Sequence, residues 1–288
     1  MKKSILATLI LITLFSCKKD EIDYENQRTA YFKNIIETPY NDSVIICVTF
    51  NIHLGFMALQ DPWDKDEIGA TINMVKEIAR HLRILDPNII AFQEVPLNRY
   101  NAEIKYFIEA IASEMNMNYS FGSHGYNDPS GIYPIYGEWG TAILSKYKIL
   151  NINNIEVEYI SKWEKRSMLD AYLEINSTTK IHAISLHYIP TEKGIPNTAK
   201  YLETFSEPTI VMGDFNYMGE IKNFTDIGVI DVDSTNFNTG VDRIFYSSGR
   251  FNCEGFGTIV DSLIIYPYQS ISDHPANYGI FKPTYYYH

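Results

Sequence analysis

The chain predicts a mixed α/β (α+β) domain, and three observations carry that expectation. Many short runs rich in β-branched and apolar residues end in polar motifs, as buried strands do where they meet their loops. Two segments place apolar residues at helical spacing instead. The roughly 245 residues that follow an N-terminal leader can bury one large core, and no internal repeat or second domain interrupts them. Two helices among many strands leave α/β and α+β both open and do not choose the layering.

The first element is the leader. MKKSILATLILITLFSC joins two Lys to an apolar run and then Leu14-Phe15-Ser16-Cys17. It reads as a secretory signal with a lipobox-like cleavage site, too short to span a bilayer comfortably. Cys17 is expected to be acylated as the mature N-terminus, the alternatives being an ordinary signal peptide or an uncleaved anchor helix. Residues 18–43 are polar, with Lys18-Lys19-Asp20-Glu21 at their start, and read as a tether. The folded domain is then 44–288, a monomer that touches the membrane only through its lipid. The expected location is the cell envelope, on the outer membrane or the periplasmic face. The early acidic run, which resembles a surface-export signal, leaves surface exposure open.

Within the domain, residues 44–52 form a buried strand, and Cys47 in VIICVTF is a core thiol. With Cys17 acylated, Cys47 and Cys253 make no disulfide framework. Ile68, Ile72, Val75, Ile78, Ala79, Leu82 and Leu85 stripe a helix over 66–85, which Asp86-Pro87 ends. NIIAFQE is the next strand, and Ile104, Phe107, Ile108, Ile111 and Met115 mark a second helix over 101–117. Residues 122–139, rich in Gly, Tyr and Pro, read as a long loop. Strands follow over 140–145, 168–175, 180–187, 208–214, 241–247, 258–265 and 276–282.

The net charge of −11, with no Lys/Arg cluster, weighs against a grip on long nucleic acid without excluding it, because that binding depends on neutralising phosphates. The polar motifs at strand ends point to other chemistry. They are Asn51 in TFNIHLG, Gln93-Glu94 in IIAFQEV, His187 in AISLHYIP, Asp214-Phe215-Asn216 in IVMGDFN, Asp242-Arg243 in VDRIF, and Ser272-Asp273-His274. Carboxylate and amide oxygens are hard ligands that suit a divalent cation, and His moves protons near neutral pH. Glu94 ends a buried strand, where an unpaired carboxylate is costly and a bound cation would relieve the cost. Asn51 can offer an amide oxygen to that cation or an N–H to a phosphate, or simply close the strand as a turn residue. Gln93 reads as orienting Glu94 or capping the loop, and His53 as a satisfied loop histidine.

In joint order these motifs, spanning about residues 44–282, resemble the endonuclease/exonuclease/phosphatase superfamily, which includes deoxyribonuclease I, neutral sphingomyelinases and inositol-polyphosphate phosphatases. The resemblance implies a four-layer sandwich: two mixed β-sheets packed face to face with helices outside, and a site at one end. It implies phosphoester hydrolysis with Mg²⁺, or Mn²⁺ or Ca²⁺ in its place. His187 matches the general acid that protonates the leaving oxygen. Asp214 falls on the metal side or beside the nucleophilic water, and Asn216 on a phosphate oxygen. Asp242 fixes the tautomer of His274, which deprotonates the water. Asp273 is a metal ligand with Glu94, or a close neighbour of one. Arg166 steadies the phosphate through its planar fork or lies at the surface, and Arg243, adjacent to Asp242, points elsewhere.

The strand-borne His187 departs from the Tyr or Asn-rich motif of abasic-site endonucleases, and with secretion it argues against DNA repair. Tyr126, Tyr133, Tyr136 and Trp139 in the 122–139 stretch are candidates for stacking on a substrate or packing on the sheet. Tyr217 and Asp242-Arg243-Ile244 faintly resemble inositol-polyphosphate phosphatases, and no hydrophobic hairpin suggests a sphingomyelinase. The leading expectation is a metal-dependent phosphodiesterase of nuclease type. Its alternatives are a phosphatase or phospholipase C-type enzyme acting on inositol phosphates or phospholipid headgroups and, remotely, a silent binding module.

Overall fold

The computed structural model describes residues 29–36, 43–126, 137–160, 165–189, 193–233, 240–261 and 270–284. Cys17 and the first part of the expected tether lie outside them. Two sheets form the centre. One runs in the order β1 (Ala30–Lys33), β4 (Asn118–Tyr126), β5 (Glu138–Ser145), β3 (Ile89–Leu97), β2 (Ile45–Asn51), β13 (Asn277–Pro283), β12 (Phe251–Thr258). The other runs β10 (Val229–Asp231), β11 (Asp242–Ser247), β9 (Thr209–Asp214), β8 (Lys180–His187), β7 (Lys165–Glu174), β6 (Lys148–Tyr159). Both are mixed, with β2–β3 and β8–β9 parallel among antiparallel neighbours.

The layering follows from side-chain alternation along each strand. Ile45 and Cys47 of β2, Ile89 and Ala91 of β3, Ala183 of β8, and Ile210 and Met212 of β9 share one core cluster between the sheets. Val48, Phe50, Ile90 and Phe92, of opposite parity, pack on α1 (Ile72–Leu82) and α2 (Phe107–Met115). Ile184, Leu186 and Val211 pack on α3 (Gly194–Leu202) and α4 (Lys222–Thr225). The result is helices, sheet, sheet, helices: the four-layer sandwich with its helices outside.

Several element boundaries differ from those expected. The first helix begins at Ile72, not 66, because Thr71 caps it, its Oγ1 accepting from Met74 N at 3.2 Å. Ile68, expected on its buried stripe, is 52% exposed. The second helix spans nine residues and stops at Asn116, which takes φ 52°. The strand expected over 258–265 is instead β12, ending at Thr258, and 262–269 lie outside the described residues. The loop expected over 122–139 is strand to Tyr126 and again from Glu138. Part of the expected tether belongs to the fold. Ala30–Lys33 pairs with β4, and Asn118 Oδ1 accepts from Ile35 N and Ile36 N at 2.7 and 2.8 Å. β6, β10, α3 and α4 had no sequence counterpart.

Candidate active site

The site is the continuation of the inter-sheet core. The parity that buries Ile45 and Cys47 leads along β2 to Asn51, and that of Ile89 and Ala91 leads to Gln93. Ala183 leads to His187, Met212 to Asp214, and Ile244 back to Asp242. At the sandwich end the same inward positions turn polar. The two sheets are tied there by hydrogen bonds: Asn51 Nδ2 to Asp214 Oδ2 at 3.1 Å, Gln93 Nε2 to Ser185 Oγ at 3.3 Å, and Ser185 Oγ to the Phe92 carbonyl at 3.0 Å. Gln93 is thus a cross-sheet clasp.

Glu94 breaks the alternation. Its even position would send it outward with Ile90 and Phe92, but it adopts φ 52° at a register shift between Phe92 and Val95. The bulge turns the carboxylate into the site. Glu94 Oε1 accepts from Asn51 Nδ2 at 3.2 Å, its one hydrogen bond among the described residues. Burial pushes its pKa up, a trend Asn51, His53 and His274 oppose and Asp273 reinforces.

Asp214 lies at the centre. Its Oδ2 is 3.5 Å from His187 Nε2 and 3.8 Å from His274 Nε2, while its Oδ1 accepts from Asn216 N at 2.9 Å. His274 Nδ1 donates to Asp242 Oδ2 at 2.8 Å, which fixes the tautomer and turns Nε2 toward Asp214. Burial works to lower the His274 value, but Asp242 first, then Asp214 and Asp273, raise it to about 9. Asp242 is itself pushed up to about 6, chiefly by burial. His187 goes the other way. Burial, with Arg166, His124 and His274 nearby, holds it well below the ordinary histidine value. Arg166 Nη1 is 3.5 Å from His187 Nδ1. A guanidinium only donates, so Nδ1 is the acceptor and Nε2 carries the hydrogen toward Asp214. Two imidazoles thus flank Asp214, His187 pushed down by burial and His274 pushed up by its carboxylate neighbours.

Other expected residues divide. Arg166 is buried and stacks on Trp139 with its guanidinium 4.5 Å from the ring centre. Asp273 lies at the rim, 4.0 Å from His53 Nε2. Asn51 Oδ1 accepts from His53 N at 3.0 Å, while its Nδ2 donates between two carboxylates. Asn216 donates Nδ2 to the Tyr188 carbonyl at 2.8 Å, leaving its oxygen and one N–H. Arg243 points away and pairs with buried Asp231, Nε to Oδ2 at 2.7 Å. Tyr133 and Tyr136 lie outside the described residues.

Asp214, Asp242 and His274 offer ligand atoms within 4.8 Å of one another. Two of those atoms are already joined by the His274–Asp242 hydrogen bond, so the trio reads as a proton relay. Glu94, half-buried in the cleft lining with one side-chain donor and next to Asp273, fits a hard divalent cation better. A cleft of about 690 Å³ opens over these groups, with Glu94, Asp273, His187 and Arg166 among its walls. The segment Ala58–Trp63, which sequence reasoning missed because nothing in MALQDPWD marks it as chemical, also lines it.

A family model described as Endonuclease/Exonuclease/phosphatase family matches residues 48–274. Similar solved structures include an endonuclease/exonuclease/phosphatase from Beutenbergia cavernae DSM 12333, 13% identical over 84% of this chain and 72% of that one, TM-score 0.63. The human nocturnin catalytic domain with bound sulfate is 16% identical over 90% and 97%, TM-score 0.59. A family protein from Leptotrichia buccalis C-1013-b is 17% identical over 84% and 100%, TM-score 0.57. No curated protein matches the sequence. At these identities the likeness to solved structures establishes the fold.

Proposed function

The chain belongs to the endonuclease/exonuclease/phosphatase family, whose members are phosphoester hydrolases, and we propose that it is a divalent-metal-dependent phosphodiesterase held at the cell envelope by its acylated Cys17. The observation that carries this reading is the pair of imidazoles flanking Asp214, His187 Nε2 at 3.5 Å and His274 Nε2 at 3.8 Å, beside an open cleft lined by His187 and Glu94. Such a pair can serve both ends of a displacement at phosphorus.

Neutral His187 presents Nε2–H to the leaving oxygen, and Arg166 holds that tautomer from behind. Arg166 also supplies positive charge near the equatorial oxygens. Asp214 orients the attacking water with the N–H of Asn51 beside it. In its neutral form His274 accepts the water's proton at Nε2 and keeps its own hydrogen on Nδ1, held by Asp242. Glu94 and Asp273 would hold Mg²⁺, Mn²⁺ or Ca²⁺. Such a cation supplies Lewis acidity toward a phosphoryl oxygen and offsets the carboxylate charge that keeps His274 protonated.

The test is hydrolysis of bis-p-nitrophenyl phosphate, plasmid DNA, RNA, sphingomyelin and inositol polyphosphates with each cation or with EDTA, and with His274→Ala as control. We expect EDTA-sensitive turnover of a diester that the variant lacks. Turnover indifferent to EDTA would remove the metal from the mechanism, and silence on every phosphoester would remove the function.

A further inference from the structure

The wall Ala58–Trp63 is built as a fixed surface. Ala58 N donates to the Ser270 carbonyl at 3.2 Å, and Met57 N to Gln60 Oε1 at 3.0 Å. The Pro62 carbonyl receives both Arg99 Nη2 and Asn101 Nδ2 at 3.0 Å. Arg99 is fully buried, and its guanidinium lies 4.9 Å from the centre of the Trp63 ring. Its Nε and Nη1 have no hydrogen-bond partner among the described residues. Placing a guanidinium in such a poor site costs stability, yet here it braces one carbonyl and one indole from behind. Gly137 makes room for it: at φ 127°, a Cβ there would lie 2.4 Å from Arg99 Cα.

The wall's free side is apolar at the rim. Leu59 is 64% exposed beside the cleft, and Met57 next to it is 39% exposed. Trp139, in the apolar cluster with Leu54 and Phe56 against which Trp63 packs, also lines the cleft and is backed by Arg166 as Trp63 is backed by Arg99. Arg166 is the one Arg or Lys among the described lining residues, against the carboxylates of Asp61, Glu94 and Asp273. Residues 127–136 contain no Lys or Arg either. One arginine suits one phosphate. A polyanion would need a basic track leading away from it.

Resting on the phosphodiesterase reading, we infer that the Met57–Trp63 wall selects the substrate: a single-phosphate ester carrying an apolar group that lies against Leu59 and Trp63. The source of that group is either aliphatic, as in a lipid, or flat and aromatic, and the probes separate them.

Binding of the diesters methyl octyl, methyl benzyl and dimethyl phosphate to the purified chain would be measured by calorimetry with Mg²⁺. The octyl or benzyl diester should bind about tenfold or more tightly than the dimethyl one, the scale of burying one Leu-sized group. Preference for octyl identifies an aliphatic source and preference for benzyl an aromatic one. In Trp63→Ala and in Leu59→Ser the ratio should fall toward one. Leu59 is exposed, so its variant keeps the fold if loss of Trp63 unseats Arg99. Equal affinities, an unchanged ratio in both variants, or tighter binding of a single-stranded oligonucleotide would overturn the inference. Binding preference without turnover of any phosphoester would leave the wall standing and sink the activity. Turnover with no preference would do the reverse.

Discussion

His187 and His274 are the same side chain pushed in opposite directions by their neighbours. One faces a guanidinium in a buried corner, and the other sits among three carboxylates. His187→Ala should reduce turnover by about 10²–10³-fold, the usual cost of removing one hydrogen-bond donor from developing negative charge, with circular dichroism unchanged. Glu94→Gln should abolish metal-dependent turnover and yet raise the melting temperature in EDTA, because it removes a carboxylate that burial disfavours. An unchanged rate in either variant would discharge that residue from its role. The His274 value in the fold lies above the ordinary 6.5, so folding favours its protonated form. That contribution is complete below pH 6.5 and is lost as pH rises through about 9. Asp242, raised from 3.8 to about 6, acts in the same direction at lower pH. In EDTA, stability should therefore fall between pH 6.5 and 9.5 by no more than about 3 kcal/mol. Denaturant midpoints should show the fall, and His274→Ala should largely abolish it. At this scale the sequence was informative about residue types and silent about backbone. The acid at Glu94 was legible, but it lies at a bulge inside β3 and not at the strand's end as expected, and the left-handed turn that aims it is written in no residue preference, since Glu has none for positive φ.

Arg243 belongs to the scale of elements. Beside Asp231, it donates Nη1 to the Tyr217 and Gly219 carbonyls at 3.3 and 2.6 Å, so β11 holds down the loop that follows Asp214 and Asn216. Arg243→Met would strand the buried Asp231 carboxylate and should cost about 3–5 kcal/mol. The double variant Arg243→Met/Asp231→Leu should recover most of the loss in thermal denaturation, which a purely catalytic Arg243 would not allow. Strands of continuous apolar character, such as β2, β8 and β9, were readable to within a residue or two, while β3 runs three residues past its expected end. β6 was not, because KILNINNIEVEY mixes polar residues into both faces at the edge of its sheet. The start of α1 was misplaced because Ile68 happens to continue the helical stripe. The specificity wall was invisible for a related reason. Its order comes from Arg99 and Asn101, about forty residues away in sequence.

Across the whole molecule, the layering could be reached through the order of the motifs, not from composition, which stopped at α/β or α+β. The cell-envelope assignment rests on Cys17: Cys17→Ser should move the protein from the membrane to the soluble fraction, and retention in the membrane would assign the anchor elsewhere. The two parallel strand pairs have a further consequence. Asn51 and Glu94 ride on one sheet, His187 and Asp214 on the other, and neither sheet holds a complete set. The apolar layer between them is therefore an alignment device as much as a source of stability. A state in which both sheets persist but slide by one ångström would keep its secondary structure and its compactness and still be inert. Turnover in rising urea should vanish ahead of the far-ultraviolet signal, making the enzyme a gauge of its own internal registration.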